Sequence, residues 1–211
     1  MKIGVVGATG KAGQLIVREA LNRGHDVTAI VRDAAKVRES IPVIERDIFH
    51  IRTDDIAGFD AVVNSFGAPL GEEQPHVDAG HTLIDALQGT DTRLFVVGGA
   101  GSLYVDEEKT TRLIDTPAFP DAIKPTANGQ GRNLEALQNT SSIRWTFLSP
   151  AAEFDPEGQR SGRYKKGKDH LITNNEGKSY ISYADYAIAV VDEIENEEHI
   201  NERFTVVSES N

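Results

Sequence analysis

Three glycines punctuate the run Gly7-Ala8-Thr9-Gly10-Lys11-Ala12-Gly13 near the start of the chain. A short β-branched stretch precedes the run and an amphipathic stretch follows it. In that setting the spacing suits a loop that binds a dinucleotide pyrophosphate. The first glycine permits a sharp strand-to-helix turn, the second lets backbone approach a phosphate, and the third lets helix pack close to strand. The helix start adds unpaired N–H groups and a partial positive charge. Thr9, Lys11 and Ala12 share the expectation. The competing reading is a tight structural turn. No Gly-Lys-Ser/Thr closes the run, so it is not a nucleotide P-loop.

The end of the second strand decides which dinucleotide binds. A carboxylate there takes the ribose 2′-hydroxyl, and an arginine accommodates a 2′-phosphate. The chain has Val31-Arg32-Asp33. Arg32 therefore points to NADP(H) over NAD(H), although Asp33 and a plain surface arginine leave the alternative open. Asp47, after the third strand, is placed to meet the adenine edge, or else is a turn carboxylate. Small residues crowd the mouths of strands four and five: Ser65, Gly67 and Ala68, then Gly98-Gly99-Ala100-Gly101-Ser102. In open parallel sheets, ligands lie beyond the carboxyl ends of the strands, and glycine there lets a flat ring come close.

Other constellations carry less. His76, Asp78 and His81 read as a solvated helix face, because residues five apart on a helix diverge. His25, His50, His170 and His199 are scattered, so no metal site is expected. The acidic runs at 107–108 and 195–198 read as solvated. Ser149-Pro150 lacks nucleophile-elbow glycines, which disfavours hydrolase chemistry. Tyr183 and Tyr186 flank a helix start, where core packing is the expected role and contact with the pocket the alternative.

The elements that must hold these residues alternate. Strands are expected over 3–6, 27–31, 41–44, 61–63, 94–97, 144–148 and 204–207. Helices are expected over 11–23, 76–87 and 133–138, with a further helix after the Ser182 cap and Asp185 at its third position. Such alternation predicts βαβ units and an α/β fold, a three-layer Rossmann-type doubly wound parallel sheet. Residues 104–130, with Pro117, Pro120 and Pro125, read as an ordered excursion whose Leu113, Ile114, Phe119 and Ile123 need burial. One domain is expected over 1–211, with 150–183 forming a small C-terminal substrate lobe.

Composition narrows the function. The 211 residues carry 33 acidic and 22 basic side chains, a formal charge of −11, and no cysteine. Phosphate backbones repel such a surface, so no nucleic-acid partner is expected. The one dense basic stretch, 160–168, reads as a solvated loop with room for one anion at most. Absent cysteine excludes thiolate metal sites, disulfides and cysteine nucleophiles, and suggests a cytoplasmic setting. No stretch is long enough to span a bilayer, and the N-terminus does not read as a secretory signal.

The chain resembles the short-chain dehydrogenase/reductase superfamily, in its atypical branch of small NAD(P)H-flavin reductase-like and biliverdin reductase B-like proteins. It is similar also to the NmrA-like group. The carriers are the glycine loop, Val31-Arg32, the stretches 97–103 and 115–120, the run 145–154, and Ile181-Ser182-Tyr183-Ala184-Asp185-Tyr186-Ala187. The resemblance implies an NAD(P)H-dependent reductase that passes hydride to a flavin (FMN or FAD) or a similar small conjugated acceptor. It implies that Ser102 lies beside the nicotinamide as the candidate catalytic residue, orienting the ring or a bound water, with a capping or turn serine as the alternative. It also implies that Pro150, Ala151 and Phe154 line the nicotinamide and acceptor pocket, with Phe66 and Leu103 as apolar walls. The superfamily's usual Tyr-x-x-x-Lys is missing from the helix expected near Ala127; Tyr164 to Lys168 matches it only in the wrong place. Hydride transfer to a conjugated acceptor tolerates that loss, because positioning supplies most of the catalysis. A non-catalytic NAD(P)-sensing regulator of the NmrA-like type and a nucleotide-sugar epimerase are the alternatives. Either a monomer or a homodimer fits.

Overall fold

The computed structural model describes residues 1–209; the last two of the expected 1–211 domain lie outside the described residues. In chain order the elements are β1 (Lys2–Val6), α1 (Lys11–Asn22), β2 (Asp26–Val31), β3 (Val43–Glu45), α2 (Thr53–Ile56), β4 (Ala61–Asn64), α3 (Gln74–Leu87) and β5 (Arg93–Val97). Then come α4 (Lys124–Gln138), β6 (Arg144–Ser149), β7 (Glu153–Asp155), β8 (Lys165–Gly167), β9 (Tyr180–Ser182), α5 (Tyr183–Asn196) and β10 (Glu202–Val207).

Eight strands form one sheet in the order β3-β2-β1-β4-β5-β6-β10-β8, parallel except for β8, which runs antiparallel to β10. The chain leaves β1 in one direction to β2 and β3, then returns to the other side for β4, β5 and β6. That reversal opens a crevice between the carboxyl ends of β1 and β4. The register sets Val6 against both Ile30 and Asn64 there. The central strands β1, β4, β5 and β6 are buried on both faces. Val5 packs into a core with α1 and α5, and Val6 into a second core with α3 and α4. The doubly wound, three-layer expectation holds.

Three local features differ from expectation. Helix α4 starts at Lys124, inside the expected excursion, because Pro125 sits in its first turn, where a missing N–H costs nothing. Segment 150–183 contains three short strands that periodicity over three residues does not reveal. β7 and β9 pair in parallel as a separate ribbon, and β8 closes the edge of the main sheet. The basic stretch is therefore not a free loop. Arg160 reaches Glu19 at 2.6 Å and Lys166 reaches Glu198 at 2.7 Å, and the lysines of β8 guard an open sheet edge. The Ser182 cap is as expected: its hydroxyl accepts from the Asp185 N–H at 3.0 Å.

Candidate dinucleotide site

A cavity of about 810 Å³ runs along the carboxyl ends of the sheet. The glycine loop forms one wall. Gly7 has φ +74, the left-handed conformation that the turn needs, and its carbonyl accepts from the Gly10 N–H at 2.9 Å. Gly13 lies so close to the Gly7 carbonyl that any side chain there would collide with it. It does not line the cavity; it brings α1 onto β1, as the third glycine should. No side chain caps Gly10, and no carboxylate occupies the first turn of α1. The free N–H groups of that turn face the space where Thr9, Lys11 and Ala12 also stand. Gln14 secures the loop by donating to the Thr9 carbonyl at 2.7 Å.

At the β2 and β3 end, Arg32 lines the cavity as expected, and Arg46 joins it. Arg46 meets Asp55 at 3.2 Å, while its Nε is buried without a partner among the described residues. Its position before Asp47 reads in sequence as an ordinary surface charge, so only the fold reveals it. Asp47 itself does not reach the cavity. Its carboxylate caps the short turn after β3, accepting from the Phe49 N–H at 3.1 Å, which is the turn role. Its neighbour Ile48 lines the wall instead.

In the middle, Ser65, Phe66 and Gly67 follow β4, and Gly98 and Gly99 follow β5; all five line the cavity. The Ser65 hydroxyl is spent on the Val6 carbonyl at 2.6 Å. Phe66 is braced edge-on by Phe49 and by His76, each with ring centroids 5.7 Å away. His76 corrects the sequence reading. It is 7% exposed and forms part of the cavity wall rather than a solvated face. Burial pushes its pKa down, which holds it neutral, and its Nε2 has no partner among the described residues.

At the β5 and β6 end, Pro150, Ala151 and Phe154 line the cavity as the resemblance implies. Two expected residues do not. Ser102 turns away, its hydroxyl accepting from Arg203 at 3.2 Å, because Arg203 and Asp169 together pin the turn after β5 from behind. Leu103 is fully buried in the core beneath that turn. Their places are taken by Leu113, Phe119 and Ile123 of the excursion and by Thr126 and Gln130 of α4. Thr126 and Gln130 are one helical turn apart on the cavity face, and both are neutral. The two tyrosines of α5 separate. Tyr186 is fully buried and donates to the Leu148 carbonyl at 2.7 Å, whereas Tyr183 lines the cavity, packed against Phe154 with centroids 3.9 Å apart and the rings tilted by 35°.

The chemistry of the wall is lopsided. Lys11, Arg32 and Arg46 supply three cations, and no carboxylate lines the cavity, in a chain with 33 acidic residues. Free helix N–H groups, cations beyond β2 and β3 and a glycine-floored apolar end fit an anionic dinucleotide lying from β2 to β6.

A family model described as NAD(P)H-binding matches residues 7–197. The chain belongs to this NAD(P)H-binding family. Within it, the chain is 63% identical to "Uncharacterized protein YwnB" of Bacillus subtilis over the full length of both. Among solved structures, it is 46% identical to a Streptococcus pneumoniae protein named "a putative NADH-flavin reductase", with a TM-score of 0.94 and 99% and 100% of the two chains covered. It is also 35% identical to a Bacteroides thetaiotaomicron protein named a "putative epimerase", with a TM-score of 0.87 and 100% and 99% covered. These relatives share the Rossmann-like α/β sheet, and the cavity described above lies along the carboxyl ends of that sheet in this chain. No helix among the described residues is long and apolar enough to cross a membrane.

Proposed function

We propose that the protein is an NADPH-dependent reductase that passes hydride to a flat conjugated acceptor such as FMN or FAD. The observation that carries this reading is the division of the cavity, cationic beyond β2 and β3 and apolar with neutral hydrogen-bonding groups beyond β5 and β6. Arg32 and Arg46 would hold the 2′-phosphate, an arginine fork being the usual match for a phosphate dianion. The first turn of α1 would hold the pyrophosphate. When bound, a reduced nicotinamide supplies the hydride. Pro150, Ala151 and the glycines after β5 would set the ring's plane, and Leu113, Phe119 and Ile123 would exclude water from the acceptor's face. Holding donor and acceptor in contact is then the main catalytic contribution. The reductase name of the Streptococcus relative supports this reading. The epimerase name of the Bacteroides relative favours it less, because Thr126 and Gln130 offer no strong acid or base where α4 faces the cavity.

The test mixes the protein with NADPH or NADH and with FMN, FAD or a quinone, and follows the nicotinamide absorbance. Turnover faster with NADPH is expected. Arg32→Ala and Arg46→Ala should each weaken NADPH about tenfold, the value of one charge-assisted hydrogen bond, and leave NADH nearly unchanged. Tight NADPH binding without consumption across all acceptors would replace the enzyme by an NADPH-sensing regulator.

A further inference from the structure

We propose that Tyr183 is a catalytic residue, whose phenol O–H donates to the acceptor at the atom where negative charge collects as hydride arrives. This inference rests on the reductase reading and names the residue that serves its acceptor.

The five tyrosines of the chain have distinct fates. The hydroxyls of Tyr164, Tyr180 and Tyr186 are bound by Asp192, Asp155 and the Leu148 carbonyl. Tyr104 packs beside His170, away from the cavity. Tyr183 alone lines the cavity, and its hydroxyl has no hydrogen-bond partner among the described residues. Its ring is fixed from two sides. Phe154 packs against it with centroids 3.9 Å apart, and the backbone before it is tied down by pairing of Ser182 with Asp155 and by the Ser182 cap. A rigid ring with an unspent donor is a preorganised hydrogen-bonding group, and preorganised donors lose little on meeting developing charge.

The rest of the wall leaves this task open. Arg32 and Arg46 stand beyond β2 and β3, at the far side of the sheet from the β6 end. Lys11 faces Glu157 at 3.4 Å. Ser102 is turned to Arg203. Burial raises the Tyr183 pKa, so the phenol remains protonated and donates across the physiological range. The balance is simple. The hydride takes two electrons from the nicotinamide, which is oxidised. The acceptor gains one hydrogen and one negative charge, and water supplies the proton that neutralises it. Tyr183 stabilises that charge through its O–H and keeps its own proton.

Tyr183→Phe removes the hydroxyl and keeps the ring packed against Phe154, so the fold and NADPH binding should match the parent. With FMN or a quinone as acceptor, kcat should fall about a hundredfold or more, in line with loss of one donor to developing charge. FMN binding, read by flavin fluorescence quenching without nicotinamide, should weaken by only about two- to tenfold, the value of one ground-state hydrogen bond. An unchanged kcat makes Tyr183 a packing residue and overturns the proposal. Equal losses of NADPH affinity and kcat put the hydroxyl on the cofactor and overturn it too. A parent protein that binds NADPH but reduces neither flavin nor quinone removes the reductase reading itself, and this inference with it.

Discussion

Gly10 and Gly13 do different jobs three residues apart, and replacing each by alanine separates them. A Cβ at Gly13 would meet the Gly7 carbonyl oxygen, the Ser65 Oγ at 2.8 Å and the Ala8 Cα at 3.0 Å. Two of these three are backbone and cannot rotate away. Overpacking of this kind costs about 1–3 kcal/mol, and backbone contacts argue for the upper end. Alanine recovers about 1 kcal/mol through its helix propensity. The net loss for Gly13→Ala is therefore about 2 kcal/mol, or a fall in Tm of about 4–8 °C for a chain of this length. A Cβ at Gly10 would meet only the Gly7 oxygen, at 3.2 Å. Its φ of −73 suits any residue, so Gly10→Ala should melt within about 2 °C of the parent, as a near-neutral substitution does. Gly10 lines the cavity, however, and a methyl there stands where a pyrophosphate must touch backbone. Gly10→Ala should weaken NADPH at least about tenfold, a loss of two or so hydrogen bonds. Thermal melts and fluorescence titrations with NADPH measure both. The reasoning fails if Gly13→Ala melts with the parent, or if Gly10→Ala loses stability while binding NADPH normally.

Arg93 is 1% exposed and bonds Glu193 at 2.6 Å, while the Glu193 carboxylate also takes the His199 ring at 2.7 Å. Arg93→Met strands a buried carboxylate and should cost about 3–5 kcal/mol in urea unfolding, much of it recovered by adding Glu193→Leu; a cost below about 1 kcal/mol would mean that the pair is not structural. Acid should weaken the fold through Glu19 and Asp169. For both, burial works against the charged form, but Arg160 and Arg23, and Lys109 and Arg203, outweigh it and hold the folded pKa below its usual value. A lowered carboxylate pKa gives stability that is complete above about pH 5 and lost as pH falls through the folded value. The urea midpoint should therefore drop below about pH 4, and Glu19→Gln with Asp169→Asn should flatten that drop; an equally steep fall in the double variant would assign the acid sensitivity elsewhere.

The residues legible in the sequence are those whose role depends on backbone. The turn made by the glycine loop is legible because spacing alone dictates where a Cβ is forbidden, and the place of Arg32 on the cavity wall is legible because it sits next to a strand end. Leu113, Phe119 and Ile123 were legible as apolar residues in need of cover, though not as a cavity wall. The misses have one cause. His76, Arg46, Thr126, Gln130 and Tyr183 come from four different elements, and nothing local distinguishes them from surface or core positions. His76 in particular follows Pro75 in the first turn of α3, where a polar residue normally meets water. It is buried because Phe66, just after β4, and the α4 backbone close over it. Ser102 was misplaced for the converse reason: its partner Arg203 lies 101 residues away.

The distribution of charge ties these observations together. A net charge of −11 repels an anionic dinucleotide at long range, but salt screens that repulsion beyond about 8–10 Å. Within that distance the wall itself presents three cations and, among the described residues, no carboxylate, while Asp55 and Glu157 stand behind Arg46 and Lys11. The neighbouring carboxylates have partners: Asp33 and Asp47 accept backbone N–H groups in their own turns, Asp55 pairs with Arg46, and Glu157 with Lys11. Asp33 thus points into its own short turn at 3.1 Å from the Ala35 N–H. A carboxylate committed in that way does not oppose a 2′-phosphate between Arg32 and Arg46. The same segregation leaves the β6 end without a free cation, which is why a neutral phenol, rather than a lysine, is the group available to meet an acceptor there.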